Sequence, residues 1–203
     1  MRKTLESERN IRGIASRQQG YFTARQALEV GYSYATQHYQ TTSANWIREE
    51  RGIYRLADYP RADRPDLVLW SLWSSGRKGK PQGVFSHETA LSIHELSDAM
   101  PANLHMTVPP SFRRSAKMPK VLVIHRAPLM ATDIQEMDGY SVTRPLRTII
   151  DVAATETVSA ELLEQAVRQG LQRGLVKRDD LAKAAKLEQS PALAGILRGI
   201  IHR

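Results

Sequence analysis

Residues 20–56 combine arginines with uncharged polar side chains in a spacing that suits contact with a nucleic acid. Guanidinium groups hold phosphates, whereas amide, imidazole and hydroxyl groups can meet base edges or the sugar-phosphate backbone. Candidate phosphate contacts are Arg25, Arg48, Arg51 and Arg55. Candidate base contacts are Gln37, Gln40 and His38, and candidate backbone contacts are Thr23, Ser33, Tyr34 and Thr36. Because glutamine pairs well with adenine edges, the pattern predicts a bias toward sites that contain A·T pairs.

Four histidines are candidates for a metal site: His87, His94, His105 and His125. They follow no H-E-x-x-H spacing and the chain has no cysteine, so structural or surface roles are the better interpretation. Ser86 directly precedes His87, but neighbours in sequence at a helix start do not face each other. We therefore interpret Ser86 as a helix N-cap rather than a nucleophile, and we expect no metal, no cofactor and no catalysis.

Two groups of residues that contain carboxylates are further candidates for a functional or structural role. Asp133, Glu136 and Asp138 form an acidic run that a metal-dependent nuclease could use, although a solvated loop is the commoner explanation. Arg147 and Asp151 are four residues apart in a predicted helix and can pair on one face. A structural ion pair is the simpler interpretation of these two residues.

The candidate interface needs two short helices and a hairpin to position it. Thr23 is a predicted N-cap for a helix over residues 24–30, and Gly31 supplies the turn, since glycine enters the left-handed region at little cost. Ser33 is a second predicted N-cap, for a helix over residues 34–42. Residues 46–56 place β-formers on both sides of a polar centre, which predicts a two-stranded wing.

A helix over residues 3–18 is expected to close the core of this region through a sparse apolar stripe: Leu5, Ile11, Ile14 and Ala15. The order of elements predicts an amino-terminal winged helix-turn-helix domain over residues 1–60. The predicted recognition helix contains no Lys or Arg. With so few phosphate anchors, one copy should bind weakly, so paired or cooperative binding to DNA is expected.

Residues 61–203 are predicted to form a mixed α+β domain that ends in a helical segment. The proline-punctuated stretch around Pro60 marks the boundary. Predicted helices span about 65–73 and 87–96 and begin at Pro145, and predicted strands span 103–108, 120–125 and 139–143. Three helices follow, over about 159–170, over about 179–187 and after Ser190-Pro191.

Charge favours a polyanionic partner. The 203 residues carry a net charge of +8, with a pI near 9.9. Residues 1–60 have nine Lys or Arg against six Asp or Glu, residues 61–130 have ten against five, and residues 131–203 have ten against ten. Clusters at residues 77–80 and 113–120 contribute to this excess, but their role is not evident from sequence. Nucleic acid is the first expectation for the partner.

The absence of cysteine fits a reducing compartment. The N-terminal segment MRKTLESERN lacks an apolar run of signal-peptide length, and the sequence has no 18-residue apolar stretch. We therefore expect a soluble, cytoplasmic protein that does not span a membrane.

The chain resembles the AbiEi-type antitoxin and transcriptional regulator family of type IV toxin–antitoxin systems. The resemblance covers most of the chain and rests on three segments: G-Y-F-T-A-R-Q-A with W-I-R-E-E-R-G-I-Y-R-L, S-H-E-T-A-L with I-H-E-L-S, and V-T-R-P-L-R-T-I-I-D. Within the two later segments, the motif residues are Ser86, His87, Arg144, Arg147, Thr148 and Asp151.

This resemblance implies a winged helix that represses its own operon and an α+β domain associated with antitoxin activity. The implied DNA partner is the operator of that operon. The implied functional partner is a nucleotidyltransferase toxin, often in systems of phage defence, which the antitoxin counteracts without stable contact. Two other hypotheses remain open: a divergent nuclease or other nucleic-acid-processing enzyme in residues 61–203, and a protein-binding module that sequesters a toxin directly.

Overall fold

The protein has a mixed α+β fold with helices and two β-sheets, in agreement with the prediction from sequence. The structure is a computed structural model that describes residues 2–60, 63–98, 100–114, 117–155, 158–187 and 191–201. The chain divides into two compact units. The first unit comprises Met1–Gly83, Phe112–Arg114 and Glu136–Ser141. The second comprises Val84–Ser111, Ser115–Gln135 and Val142–Arg203.

The described residues of the first unit form four helices and three strands. In chain order these are α1 (Arg2–Ser16), β1 (Tyr21–Thr23), α2 (Ala24–Glu29), α3 (Tyr34–Thr42), β2 (Trp46–Glu50), β3 (Ile53–Leu56) and α4 (Pro65–Trp73). The predicted helices and the hairpin are therefore present, with ends that differ by one or two residues. The short strand β1 was not predicted.

Side-chain caps set the start of α2 and α3. The hydroxyl of Thr23 accepts a hydrogen bond from the backbone N–H of Gln26, whose side chain in turn accepts from the N–H of Thr23. Ser33 caps α3 by accepting from the N–H of Thr36 at 3.2 Å. Gly31 between the helices has a φ of +96°, so a residue with a side chain would be strained there.

The three strands form an antiparallel sheet in the order β1-β3-β2. Trp46 lies opposite Leu56, which places both side chains on the core face. The register shifts between Arg48 and Glu50, so Glu49 is an extra residue in β2. Gly52, with a φ of +76°, makes the tight turn to β3.

An aromatic cluster fills the core of this unit. Phe22 meets Trp46 edge-on with ring centroids 4.7 Å apart, and Tyr32 lies 4.8 Å from the same indole ring. Ile11 and Ala15 of α1 are buried against the cluster, as predicted. The prediction for Leu5 was wrong, since its side chain is 64% exposed.

Helix α4 packs against β1 and β3 and belongs to the first unit. The predicted boundary near residue 60 separates α4 from that unit and so differs from the division in the structure. The physical reason is burial, since Leu67, Val68 and Leu72 are withdrawn from solvent.

The second unit contains the remaining strands and helices, except that the end residues Glu136 of β7 and Ser141 of β8 belong to the first unit. In chain order its elements are β4 (Val84–Phe85), α5 (His87–Ile93), β5 (Leu104–Val108), β6 (Leu122–Arg126), a 3-10 turn (Ala131–Asp133), β7 (Ile134–Glu136), β8 (Ser141–Thr143), α6 (Pro145–Thr155), α7 (Ala160–Gln172), α8 (Arg178–Leu187) and α9 (Pro191–Ile201). Strands β4 and β7 were not predicted. The predicted cap residue Ser190 lies outside the described residues.

Five strands make a mixed sheet in the order β6-β5-β4-β8-β7. Strand β5 runs parallel to β6 and antiparallel to β4, and β4 runs parallel to β8. The helices share a separate apolar core that includes Leu91, Ile149 and Leu181. No helix in the described part of the chain has both the length and the apolar character needed to cross a membrane.

Candidate nucleic-acid interface

Helix α3 presents an uncharged, partly aromatic surface to solvent. Tyr34 is 71% exposed and Tyr39 is 64% exposed, and His38 is exposed as well. Large exposed apolar or aromatic side chains in a cluster mark interaction surfaces more often than scattered ones do. Tyr39 was not among the candidates from sequence. The exposed side of α3 could have suggested it, but the helix has too few apolar residues to show which side faces inward.

Gln37 lies on the opposite side of α3 and is only 2% exposed. Its side-chain amide donates to the carbonyl of Ala24 at 3.1 Å and to the carbonyl of Tyr32 at 3.0 Å. Both amide protons are therefore used inside the unit. The prediction that Gln37 reads bases is corrected, because the side chain does not reach the surface.

Of the other polar residues predicted to contact DNA near α2 and α3, some are used to cap a helix and some are exposed at the surface. Thr23 is buried and its hydroxyl is committed to the cap of α2, so its assignment to DNA contact is corrected. Ser33 and Thr36 are exposed and share a 2.9 Å hydrogen bond between their hydroxyls. Gln40 is half-buried and accepts from the side-chain amide of Asn45 at 2.9 Å.

The hairpin β2–β3 carries two freely exposed arginines, Arg48 and Arg51. Strand β2 packs against α3, and the carbonyl of Gly52 in the hairpin turn accepts from the N–H of Ala24 at 2.8 Å. The turn is thereby fixed beside the start of α2. The arginines and the exposed side of α3 thus belong to neighbouring elements of one unit.

Arg55 does not lie at this surface. It occupies the central strand β3, is 6% exposed and pairs with Glu49 through Nε and Oε1 at 2.9 Å. Its Nη1 also donates to the carbonyl of Leu56 at 3.2 Å. The predicted phosphate contact is corrected, since the guanidinium group is consumed by internal partners.

Arg25 remains on the surface but is engaged there. Its Nε lies 3.0 Å from Oε1 of Glu29, one turn later in α2. Its Nη1 donates to the backbone carbonyl of Arg77. This second contact places the loop after α4 beside α2.

In the second unit, Ser86 and His87 are in direct contact, contrary to the expectation that they do not face each other. Oγ of Ser86 lies 2.9 Å from Nδ1 of His87 and accepts from the hydroxyl of Thr107 at 2.7 Å. The contact is made at an unusual φ of +52° for His87. Ser86 holds the N-cap position of α5 but its side chain makes no capping hydrogen bond.

Three histidines cluster at this point. The rings of His87 and His125 stack with centroids 3.6 Å apart, and Nδ1 of His105 lies 3.1 Å from Nε2 of His125. Burial lowers the pKa of His87 to about 3, aided by the neighbouring histidines and Arg147. Burial also lowers the pKa of His105 and of His125. The cluster is therefore neutral at physiological pH.

His94 stands apart from the cluster, with its Nε2 2.7 Å from the carbonyl of Thr143. Burial lowers its pKa as well. Across the described ranges, no group of three or more His, Asp or Glu side chains is arranged to hold a metal ion.

The T-R-P-L-R-T motif forms a second cluster of polar side chains, which lies at the start of α6. Nε of Arg147 lies 2.8 Å from Oδ1 of Asp151, which confirms the predicted pair, and Nη1 lies 3.6 Å from Oδ2 of Asp133. Asp133 is thus held against Arg147 and is not simply part of a solvated loop. Thr148 is buried and its hydroxyl lies 3.0 Å from each of two acceptors, the backbone carbonyls of Thr143 and Arg144. The Arg144 side chain is exposed.

The motif residues of the second unit therefore form a largely internal polar network. Ser86 is fully buried, so its hydroxyl has no open path to a substrate in this structure. Asp133 and Asp151, the carboxylates that a nuclease could use, both contact the same guanidinium group. These contacts organise the fold around α5 and α6.

The chain can be compared with protein-family models, with curated proteins and with solved structures. No family model matches it. No curated protein matches it. Among solved structures, it is similar to the crystal structure of the RV2827C protein from Mycobacterium tuberculosis, with a TM-score of 0.47, 12% identity, and coverage of 96% of this chain and 81% of that chain.

Proposed function

We propose that this chain is a cytoplasmic, sequence-specific DNA-binding regulator whose first unit acts as a winged helix. Helix α3 would enter the major groove as the recognition helix, and the hairpin β2–β3 would act as the wing along the phosphate backbone. The observation that carries the proposal is the exposed aromatic side of α3 next to a hairpin with two free arginines.

The charge distribution supports a polyanionic partner for the first unit. That unit contains sixteen Lys or Arg against ten Asp or Glu, and the second contains thirteen against eleven. Six of the eight net positive charges thus belong to the unit that carries α3. Such an imbalance raises the rate and affinity of association with DNA without selecting a sequence.

Sequence selection would then fall to the side chains that α3 exposes. His38, Tyr34 and Tyr39 can donate or accept hydrogen bonds and can pack against thymine methyl groups. Gln40 can contribute only in part, because it is half-buried and bonded to Asn45. The bias toward A·T pairs that two glutamines would give is correspondingly weaker.

The antitoxin role is a further part of this proposal and rests on the resemblance to AbiEi-type proteins. In this role the chain would repress its own operon and counteract a nucleotidyltransferase toxin encoded beside it. Co-expression with the neighbouring reading frame tests the role by growth rescue. Rescue without co-purification of the two proteins supports it, whereas stable co-purification would favour direct sequestration of the toxin.

Selection from a randomised duplex library tests the DNA-binding proposal. The wild-type chain should enrich a defined motif. Joint replacement of Tyr34, His38 and Tyr39 by alanine should remove that preference while leaving weak general binding. Joint replacement of Arg48 and Arg51 by alanine should instead weaken binding to all duplexes.

Replacement of Arg178 and Lys183 by alanine, on α8 of the second unit, is the matched control for the charge change. It should leave both the motif and the affinity close to wild type. Failure of the wild-type chain to enrich any motif, or equal motifs from wild type and the α3 variant, would overturn the proposal.

A further inference from the structure

The loop after α4 is an ordered, basic turn within the first unit. Its backbone closes on itself, with the N–H of Gly76 donating to the carbonyl of Lys80 at 3.0 Å and the N–H of Gly79 donating to the carbonyl of Gly76 at 2.9 Å. The hydroxyl of Ser74 accepts from the N–H groups of Gln82 and Gly83 just beyond it. The three cations of the turn, Arg77, Lys78 and Lys80, are exposed. Together, residues 76–80 are named the basic turn.

The basic turn is tied to α2. Nη1 of Arg25 donates to the carbonyl of Arg77, and the side chain of Arg25 passes close to Gly79. A Cβ atom at residue 79 would lie 3.0 Å from Cδ of Arg25, so a side chain there would crowd the guanidinium stem. The contact fixes the basic turn next to the helix that precedes α3.

A second basic segment, residues 112–114, reaches the same place from a distant part of the sequence. Phe112 is buried and its ring centroid lies 6.3 Å from that of Trp73. Nη1 of Arg114 donates to the carbonyl of Ser75 at 3.0 Å, and its guanidinium carbon lies 5.1 Å from the Trp73 ring centroid. Arg114 therefore extends the positive charge of the basic turn.

These elements share one groove with the candidate recognition helix. The groove has a volume of about 500 Å³ and is lined by Arg25, Tyr34, Gly52, Gly79 and Arg114 among others. Within the described residues, no Asp or Glu lines it. The charged residues of the lining are therefore both cations, Arg25, which also pairs with Glu29, and Arg114.

We propose that the basic turn and Arg114 bind phosphates of duplex DNA that flank the base pairs read by α3. This inference rests on the proposed function and adds a second set of phosphate contacts to those of the hairpin. It also accounts for how a recognition helix without Lys or Arg is held on DNA, since each contacted phosphate adds binding free energy through counterion release.

The chemistry of the turn favours duplex backbone over single-stranded nucleic acid. Proteins that bind single strands without sequence preference stack bases on exposed aromatic side chains. The basic turn carries no aromatic residue. Trp73, which lies beside it, is buried and faces the Arg114 guanidinium group. The exposed aromatic ring of the same groove, Tyr34, belongs to the candidate recognition helix α3. Because the turn itself contributes cations and no aromatic ring, it suits the phosphates of a duplex, whose bases are stacked inside the double helix.

The test compares two triple variants that remove identical charge. One replaces Arg77, Lys78 and Lys80 by glutamine in the basic turn. The other replaces Arg178, Lys183 and Lys186 by glutamine on α8, where all three are also exposed. Binding of each full chain to one labelled duplex is measured by fluorescence anisotropy over a range of salt concentrations, after thermal unfolding has shown that both variants fold.

The logarithm of the binding constant falls linearly with the logarithm of the salt concentration. Loss of two to three phosphate contacts should make this slope shallower by about 2 to 3 for the basic-turn variant alone. Between about 50 and 200 mM salt, wild-type affinity should therefore fall about 10- to 40-fold more than the affinity of that variant. The α8 variant should follow the wild-type slope. An unchanged slope in the basic-turn variant, or the same change in both variants, would overturn the inference.

Neutral methylphosphonate groups placed in the duplex locate the contacts. Substitution at phosphates outside the base pairs selected by α3 should weaken wild-type binding, and it should have little further effect on the basic-turn variant. Equal effects on the two proteins would contradict the assignment. Tighter binding of single-stranded RNA or of anionic vesicles than of duplex, with the difference lost in the variant, would assign the turn to that partner instead.

The outcome separates this inference from the proposed function. Binding that depends on Arg48 and Arg51 but not on the basic turn rejects only the inference. A wild-type chain that enriches no motif rejects the proposed function whatever the basic turn does.

Discussion

The side-chain amide of Gln37 donates a 3.0 Å hydrogen bond to the backbone carbonyl of Tyr32. It thereby joins the interior side of α3 to the turn that follows α2. A second hydrogen bond from the same amide reaches Ala24 at the other end of α2. Gln37 thus fixes the angle between the two helices and determines which side of α3 faces solvent.

Replacement of Gln37 by alanine should destabilise the first unit. Two buried carbonyl groups would lose a partner, which costs about 1 to 3 kcal/mol in the free energy of unfolding. Urea unfolding measures the change. The base preference of the folded variant should match that of wild type, because Gln37 does not reach the surface. Replacement of exposed His38 by alanine should do the reverse, with stability within about 0.5 kcal/mol of wild type and altered base preference.

Two arginines of the hairpin should respond differently to the same substitution. Arg55→Ala leaves Glu49 without its buried partner and should lower the free energy of unfolding by about 3 kcal/mol. Arg51→Ala should change the free energy of unfolding by less than about 0.5 kcal/mol. It should also reduce the slope of the logarithm of the DNA-binding constant against the logarithm of the salt concentration by about 1. Thermal unfolding and anisotropy titrations separate the two effects. A destabilised Arg51 variant with normal DNA binding would contradict the assignment.

The histidine cluster makes the second unit sensitive to acid. Burial lowers the pKa of His87 from its ordinary 6.5 to about 3 in the folded chain, so the unfolded chain binds more protons between these pH values. Stability is therefore lost as pH falls from about 6.5 toward 3. For His87 alone the loss between about pH 7 and pH 5 is about 2 kcal/mol. Urea unfolding at the two pH values measures it.

His87→Asn is the informative variant for this pH dependence. Asparagine tolerates a positive φ better than most residues and does not titrate. The variant should lose less stability on acidification than wild type, although His105 and His125 still titrate beside Glu88 and Arg147. Identical pH profiles for wild type and His87→Asn would show that the cluster does not limit stability in acid.

Arg147 should be a stability determinant of the second unit. Arg147→Met would leave Asp151, whose side chain is 8% exposed, and Asp133 without their cation. The expected loss is about 3 kcal/mol in the free energy of unfolding. Arg144→Met, three residues earlier in the same motif and exposed, should cost less than about 0.5 kcal/mol. Chemical denaturation of the two variants provides the comparison, and equal losses would argue against the ion-pair network.

Most features that depend on neighbouring residues were predictable from the sequence, although Ser86 makes no capping hydrogen bond and contacts His87 instead. The caps at Thr23 and Ser33, the turn at Gly31 and the Arg147–Asp151 pair all act within four residues. Their side chains reach their partners whatever the rest of the chain does. This is why the order of helices and strands in the first unit follows the sequence closely.

Features that depend on distant residues were not predictable in the same way. Gln37 is buried because Ala24 and Tyr32 accept from it, and a short polar helix has no apolar periodicity to reveal its inward side. Arg55 is internal because β3 is the central strand of its sheet. The histidines meet through contacts between α5, β5 and β6, and Arg114 reaches Ser75, the residue before the basic turn, from 39 residues away.

The most direct test of whether α3 and the hairpin contact DNA is amide hydrogen exchange of the full chain. Exchange is measured with and without a selected duplex at saturating concentration. Exchange should slow in residues 33–56 and in the basic turn, and it should be unchanged in α7 and α8. Saturation is established independently by anisotropy. Protection confined to the second unit, or none in residues 33–56 of a chain that is fully bound, would contradict the account.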